Sequence, residues 1–423
     1  MKGYRLVVLA IMVAATFINY IDRASLSIAA PYIMKEFNFS PAEMGIVFSS
    51  FFLSYSVFCF VGGYLSDIYG PKKTIAFAMV AWSLFAGAPA LAWGFSSLVV
   101  FRILFGAGEG PISSVSNKMI NNWFPATERA KAKGITDTGM SIGAALAGPI
   151  VGLIAVQWGW RISFLVLTLL GFVWVIFWMK MVTDHPKDHA KVSAAELEEI
   201  EKGKVTVTQV ADKLPLSYYI KQPIILSTII AFFATNYATY FFLTWFPSYL
   251  VMARSLSIKD MAIVSVIPWL FGALGYGLGG YLSDHLVKRL GDLVKARKIV
   301  ISVFLSCAAV SIGLCGLVDT TTAAVTLMSL GIFFAYLATA SYWAIIQDTV
   351  KSDSVGRVGG FVHFLSNTAG IIAPSVTGFI VQATGMFTSA FLLTGGLAII
   401  GAASVAIFAK PITPYVHPSK PAA

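Results

Sequence analysis

Gly62-Gly63-Tyr64-Leu65-Ser66-Asp67 recurs letter for letter as Gly279-Gly280-Tyr281-Leu282-Ser283-Asp284, an offset of 217 residues. Each copy closes an apolar run and opens onto a basic stretch, Lys72-Lys73 in one case and Lys288-Arg289 in the other. The same offset carries the first long apolar run, which starts near Leu6, onto another that starts near Ile224. A hexapeptide kept at the same place in two matching hydropathy patterns marks an internal duplication of the parallel kind.

Working outward from the two copies, apolar segments fall at roughly 6–34, 44–66, 74–93, 96–116, 134–157 and 161–183. They resume at roughly 222–250, 261–283, 297–317, 322–346, 356–382 and 386–409. The composition agrees: 57% of the 423 residues are hydrophobic and only 12% charged, far too few charges for a soluble chain of this size. The fold class is therefore an all-α polytopic membrane protein of twelve transmembrane helices in two pseudo-symmetric six-helix halves. The expected divisions are 1–183, a linker at 184–221, 222–410 and a tail at 411–423. The run after Met1–Arg5 is too long for the apolar core of a signal peptide and lacks a small-residue cleavage site.

The net charge of +10 invites a nucleic-acid reading, but its distribution answers otherwise. With the N-terminus inside, 24 of the 30 lysines and arginines fall in cytoplasmic segments and four in outer loops, while Arg23 and Arg102 lie within spans. That asymmetry fixes both termini inside. Cys59, Cys307 and Cys315 sit in apolar runs without metal-ligand spacing and read as packing residues. The His185-Pro-Lys-Asp188-His189 cluster lacks a third well-placed ligand. The linker, rich in acid around Glu196-Leu-Glu-Glu-Ile-Glu201, reads as a solvated loop with one amphipathic helix.

Few ionisable side chains fall inside the spans. Asp22 and Arg23 lie in the first, Arg102 and Glu109 in the fourth, and His363 in the eleventh. Each charge costs roughly 2.5–3.5 kcal/mol at a helix centre on insertion scales, so such groups face a protein interior or a watery cavity. Arg102 and Glu109 are two turns apart, about 10 Å along the axis, so each is expected to meet a group on another helix. The bland alternative for these groups is a polar pair that only locks helix packing. The functional reading is proton coupling. Asp22 and Glu109 are the candidate proton sites, and Arg23 is the preferred partner of a substrate carboxylate, which a guanidinium can hold with two parallel hydrogen bonds.

Two resemblances carry this further. Gly63-Tyr-Leu-Ser-Asp67-Ile-Tyr-Gly70-Pro-Lys72-Lys73 resembles the loop 2–3 signature of the major facilitator superfamily. Gly139, Pro149 and Gly152 resemble its fifth-helix pattern. Gly63, Asp67, Gly70, Lys72, Arg129 and the repeat's Asp284 are read as a gating and packing device, with Asp67 facing a helix N-terminus or an arginine such as Arg129. Within that superfamily, Asn19-Tyr20-Ile-Asp22-Arg23, Arg102-x6-Glu109-Gly-Pro111 and Asn122-Trp-Phe-Pro-x-x-Glu128-Arg129 resemble the anion:cation symporter family, which includes bacterial sugar-acid transporters. The resemblance implies proton-driven uptake of an organic anion, with Asp22 and Glu109 at proton-coupling positions and Arg23 and Arg102 at basic ones. It also implies Tyr55 and Trp343 as pocket residues, and Tyr20 is read as a further substrate-binding candidate. Met140 and His363 depart from relatives that carry glutamine and asparagine there.

Asn236 and Tyr240 share a face of the seventh helix, His363 and Asn367 share one on the eleventh, and Ser341, Trp343 and Gln347 lie on the tenth. Together they suit a hydroxyl-rich ligand, although each singly is also an ordinary interhelical polar residue, and His363 can bind, titrate or fill a polar niche. The expected partners are a small organic anion, protons and the lipid bilayer, with no nucleic acid, no metal and no cofactor beyond the coupling proton. A monomer in a bacterial inner membrane suffices, and no catalytic constellation marks an enzyme. Other readings are an importer of an aromatic or dicarboxylic acid, a cationic-drug exporter, against which the buried arginines count, and a transporter-like sensor.

Overall fold

A computed structural model describes residues 3–125, 128–202, 214–350 and 354–411. Among these, all regular structure is helical, and twelve helices are long and apolar enough to cross a membrane. They are Arg5–Phe37, Pro41–Cys59, Pro71–Leu91, Phe95–Trp123, Lys131–Trp158, Trp160–Met181, Pro223–Met252, Ile258–Leu290, Leu293–Cys315, Thr321–Thr349, Val355–Thr384 and Thr388–Phe408, here spans one to twelve. The start of the first span and the linker between the sixth and seventh share one end of the bundle, the linker end; the opposite end is the far end.

The helices begin and stop where local chemistry dictates. Asn38 ends the first helix in the left-handed conformation at φ 54°. Ser40 then caps the second through a capping box with Glu43, which satisfies two otherwise orphaned amides. The fourth span is interrupted at Gly110-Pro111, the eighth at Ser265 and the eleventh at Thr368.

The duplicated hexapeptide performs the same packing task twice. A Cβ on Gly62 would fall 2.4 Å from Cα of Pro111 in the fourth span, and one on Gly279 would fall 2.4 Å from the Leu337 carbonyl in the tenth. Backbone meets backbone there only because the side chain is absent. The tyrosines two residues on, Tyr64 and Tyr281, are 64% and 69% exposed.

Contacts between the halves gather at the far end. Ser375 in the eleventh span donates its backbone N–H to Ser49 Oγ in the second (3.1 Å), and the two hydroxyls lie 2.8 Å apart. Ala42 N–H donates to Gln382 (3.2 Å). A Cβ on Gly148 of the fifth span would meet the Ala262 carbonyl of the eighth at 2.4 Å. A cavity of about 10 Å³, room for one water, lies in this seam among Ala24, Ala144, Phe242 and Trp269. At the linker end Asp67 and Asp284 are largely open to solvent.

The linker is less solvated than its sequence implies. Glu196 is buried: its carboxylate accepts the backbone N–H groups of Tyr4 and Arg5 (both 3.0 Å) at the start of the first span. The Arg5 guanidinium, almost fully buried, pairs with Glu199 (2.9 Å) and Glu128 (3.2 Å). Unsatisfied helix-start amides and a buried cation draw these acids in. Tyr4 stacks on His189 at 4.0 Å, and Asp184 accepts from Lys72 N–H (2.7 Å) at the start of the third span. Farther on, Arg357 of the eleventh span donates to the Leu214 carbonyl (3.1 Å).

Candidate functional site: a charge cluster facing the cleft

The first and fourth spans bring Asn19, Arg23 and Glu109 together deep in the first half. Glu109 is fully buried, and its Oε1 accepts from Asn19 Nδ2 (2.7 Å), Arg23 Nε (2.9 Å) and Arg23 Nη2. Arg23 is also framed by rings: its guanidinium carbon lies 5.1 Å from the Tyr20 centroid, 4.7 Å from Tyr55 and 5.1 Å from Phe51. Charge-assisted bonds and ring faces are how a desolvated guanidinium is held.

Arg102 is placed differently. It is 5% exposed, and its guanidinium lies 4.8 Å from the Phe51 centroid and 5.1 Å from Phe105. Among the described residues no carboxylate pairs with it, and its Nε has no hydrogen-bond partner. The sequence favours Arg23 for an incoming anion; the geometry leaves Arg102 as the uncommitted cation, because Glu109 already engages Arg23. Asp22, one residue from Arg23 and so turned to another side of the helix, accepts from Trp82 Nε1 of the third span (3.1 Å), and its Oδ1 has no partner.

The second half presents a polar and aromatic wall. Tyr240 Oη donates to Asn367 Oδ1 (2.5 Å), and Asn367 Nδ2 donates to the His363 carbonyl (2.8 Å). The His363 ring lies 5.6 Å from Trp343 and 6.1 Å from Phe232. Tyr240 packs on Phe52 of the second span at 4.4 Å, which brings this wall against the first-half cluster. Asn236 lies one turn toward the linker end from Tyr240 and is half-buried. Ser341 is not part of this wall: its hydroxyl meets Ser283 Oγ (2.9 Å), itself bonded to Arg297. Gln347 is exposed.

The gating residues divide between the halves. Asp67 pairs with Lys118 of the fourth span (2.5 Å) rather than with Arg129, whose guanidinium is taken by the Phe124 and Asn121 carbonyls. Those carbonyls cluster at the end of the preceding helix, where a cation is favoured. Asp284 pairs with Arg297 (2.7 Å), which also reaches Asp348 (3.3 Å). A Cβ on Gly63 would stand 3.6 Å from Ser114, ordinary contact, and Gly70, at φ 80°, makes the turn into the helix that holds Lys72. Sequence reasoning missed Trp82, Phe51 and the Lys133–Asp137 pair of the fifth span. An aspartate inside a segment read as 134–157 was the available signal for the last.

The match to the family model described as Major Facilitator Superfamily runs over residues 12–374. The chain belongs to that superfamily. It is 49% identical to the hexuronate transporter of Bacillus subtilis (strain 168), over 96% of this chain and 95% of that one. It is 35% identical to the probable galactarate/D-glucarate transporter of Escherichia coli (strain K12), over 92% of this chain and 91% of the other. Among solved structures, the D-xylose–proton symporter superposes with a TM-score of 0.76 at 15% identity, covering 97% of this chain and 99% of that one. Family and fold are those of transporters, not enzymes.

Proposed function

We propose that the chain imports a sugar acid, a hexuronate first among them, by proton symport and alternating access. The observation that carries this reading is the unequal state of the two buried arginines. Arg23 is paired with Glu109, whereas Arg102, which shares the Phe51 ring with it, forms no ion pair among the described residues. A desolvated cation with no partner is a ready receptor for a carboxylate. The hydroxyl-bearing Tyr20 and Tyr55, with Tyr240, Asn236, Asn367, Trp343 and His363 across the cleft, suit the polyhydroxy remainder of the molecule.

Protons enter through the two acids. A proton on Glu109 removes the charge that holds Arg23, so a substrate carboxylate can take its place. Among the described residues Asp22 has one indole donor and no cation, so it takes up or releases a proton without breaking an ion pair. The relatives' printed substrates, hexuronate and galactarate or glucarate, support a polyhydroxy acid. In this reading the linker end faces the cytoplasm of a bacterial inner membrane, as the distribution of lysine and arginine favours. The contacts that join the halves at the far end then close the outer side, and a monomer is sufficient.

Purified protein in liposomes, with acid outside, tests the reading. The panel is galacturonate, glucuronate, galactonate, glucarate and an aromatic acid, each with and without the pH gradient. Accumulation of a sugar acid that needs the gradient supports it. Carriage of the aromatic acid alone, or of sugar acids with no dependence on the gradient, overturns it.

A further inference from the structure

Lys133 and Asp137 form an ion pair on the fifth span that packing does not require. Lysine four residues before aspartate is the weaker order for an intrahelical pair, so helix stability gives little reason for it. Position along the helix gives more. Thr136, Gly139 and Gly143 lie against the first span, where Thr16 Oγ donates to the Thr136 carbonyl (2.6 Å) and a Cβ on Gly143 would meet the Phe17 carbonyl at 2.3 Å. Lys133 and Asp137 lie on a different stripe, shared with Ala144 and Gly148 at helical spacing. Ala144 and Gly148 both face the second half, where Gly148 touches the eighth span.

The pair therefore points into the cleft, on the linker-end side of the charge cluster. Its surroundings fit that placement. The charge of Asp137 reaches Tyr20 of the first span and Tyr276 of the eighth, and that of Lys133 reaches His363 of the eleventh. Tyr276 is 44% exposed while edge-on to Tyr336 of the tenth span. Both paired side chains remain partly accessible, 33% and 18%.

We propose that Lys133 is a second carboxylate-binding station, between the central cluster and the linker-end opening, with Asp137 as its internal competitor. This rests on the proposed sugar-acid transport. An anion leaving Arg102 meets the Lys133 ammonium, displaces Asp137 from it, and is in turn displaced when Asp137 returns. The competitor keeps the hold brief, which a way-station in a transport path requires.

The two variants separate this role from a structural one, because a station demands effects of opposite sign. Galacturonate transport is measured in membrane vesicles of both orientations, with sidedness assigned by labelling a Ser193→Cys protein. Lys133→Gln should raise the KM from the linker side about threefold to tenfold, the range of a partly exposed charged hydrogen bond, and leave the far-side KM unchanged. Asp137→Asn should lower the linker-side KM and slow release, and Lys133→Arg should keep the wild-type value. If both neutral variants shift KM in the same direction, or neither does while wild type transports, the station is wrong and the transport reading stands. If wild type carries no sugar acid in either orientation, both fall.

Discussion

Glu109 and Arg102 sit two turns apart on one helix, yet Glu109 turns from its neighbour to hold Arg23 of the first span. Two acids and two bases share the core of the first half, yet they form a single ion pair among the described residues, which leaves Asp22 and Arg102 each without an oppositely charged partner.

Glu109→Gln keeps the shape and the bond from Asn19 but can neither carry a charge nor exchange a proton. It should abolish accumulation driven by a pH gradient while preserving exchange of labelled for unlabelled sugar acid. Glu109→Ala goes further and strands the Arg23 guanidinium, a loss of roughly 3–5 kcal/mol for a broken buried pair. Thermal unfolding in detergent should show the second variant clearly less stable than the first. Equal losses of exchange in both would argue against a proton role.

Arg102→Lys preserves charge but not the planar fork. If Arg102 takes the substrate carboxylate, lysine should not rescue it, and sugar-acid binding should weaken about tenfold or more, as for lost charged hydrogen bonds of roughly 1.5–3 kcal/mol. Because Arg102 has no carboxylate partner among the described residues, stability should change little. Ligand-induced shift of the unfolding temperature reads both quantities at once.

The far-end seal offers a mechanical test. Ser49 and Ser375 hydroxyls are 2.8 Å apart, close enough for cysteines at both positions to bridge. Oxidation of the double variant should lock the far end and stop transport, and reductant should restore it. Transport that continues with the bridge formed would mean that this face does not open.

Gly279 admits no side chain without moving the tenth span's backbone. Gly279→Val should destabilise by about 1–3 kcal/mol or more, as overpacking does, and Gly62→Val should do the same in the other half. Gly280→Ala, whose Cβ would stand 3.9 Å from Ala340, should be nearly silent. Unfolding temperatures of the three proteins decide the matter.

Linker docking should depend on pH. Burial, with Lys191 and Lys72 nearby, holds the His189 imidazole below its ordinary 6.5. The docked form therefore binds fewer protons than the free one, so its stability is complete above about 6.5 and declines as pH falls below that value. Hydrogen exchange of residues 184–202 should rise between pH 7 and pH 5, and His189→Phe, which keeps a ring against Tyr4, should flatten the rise.

Much of this architecture is legible in the sequence, for physical reasons. Twelve apolar runs and a repeated Gly-Gly-Tyr-Leu-Ser-Asp suffice for two halves because lipid forces backbone bonds to close within each helix. Hydropathy is blind to helix that continues past the apolar zone. The helix that carries the second span, Pro41–Cys59, therefore continues to Tyr69 rather than stopping near residue 66, and the breaks at Gly110-Pro111 and Thr368 interrupt runs that look uniform. The charged residues announce themselves, but their partnerships do not. Nothing in the spacing of Arg102 and Glu109 tells which arginine is left over, since that depends on how the first span is rotated against the fourth. Asp137 was hidden by its neighbours: next to Lys131 and Lys133 it looks like the tail of a basic loop.

The pinned linker carries a consequence for how far the protein can swing. One stretch is tied by Glu196 and Glu199 to the start of the first span, and Leu214 is tied to Arg357 of the eleventh. Only the chain between Lys202 and Leu214 joins the two anchor points, and twelve peptide steps reach at most roughly 40 Å. The segment is thus a leash of fixed length. Its contour length caps how far apart these two anchor points can move, and loosening either knot would lengthen that reach.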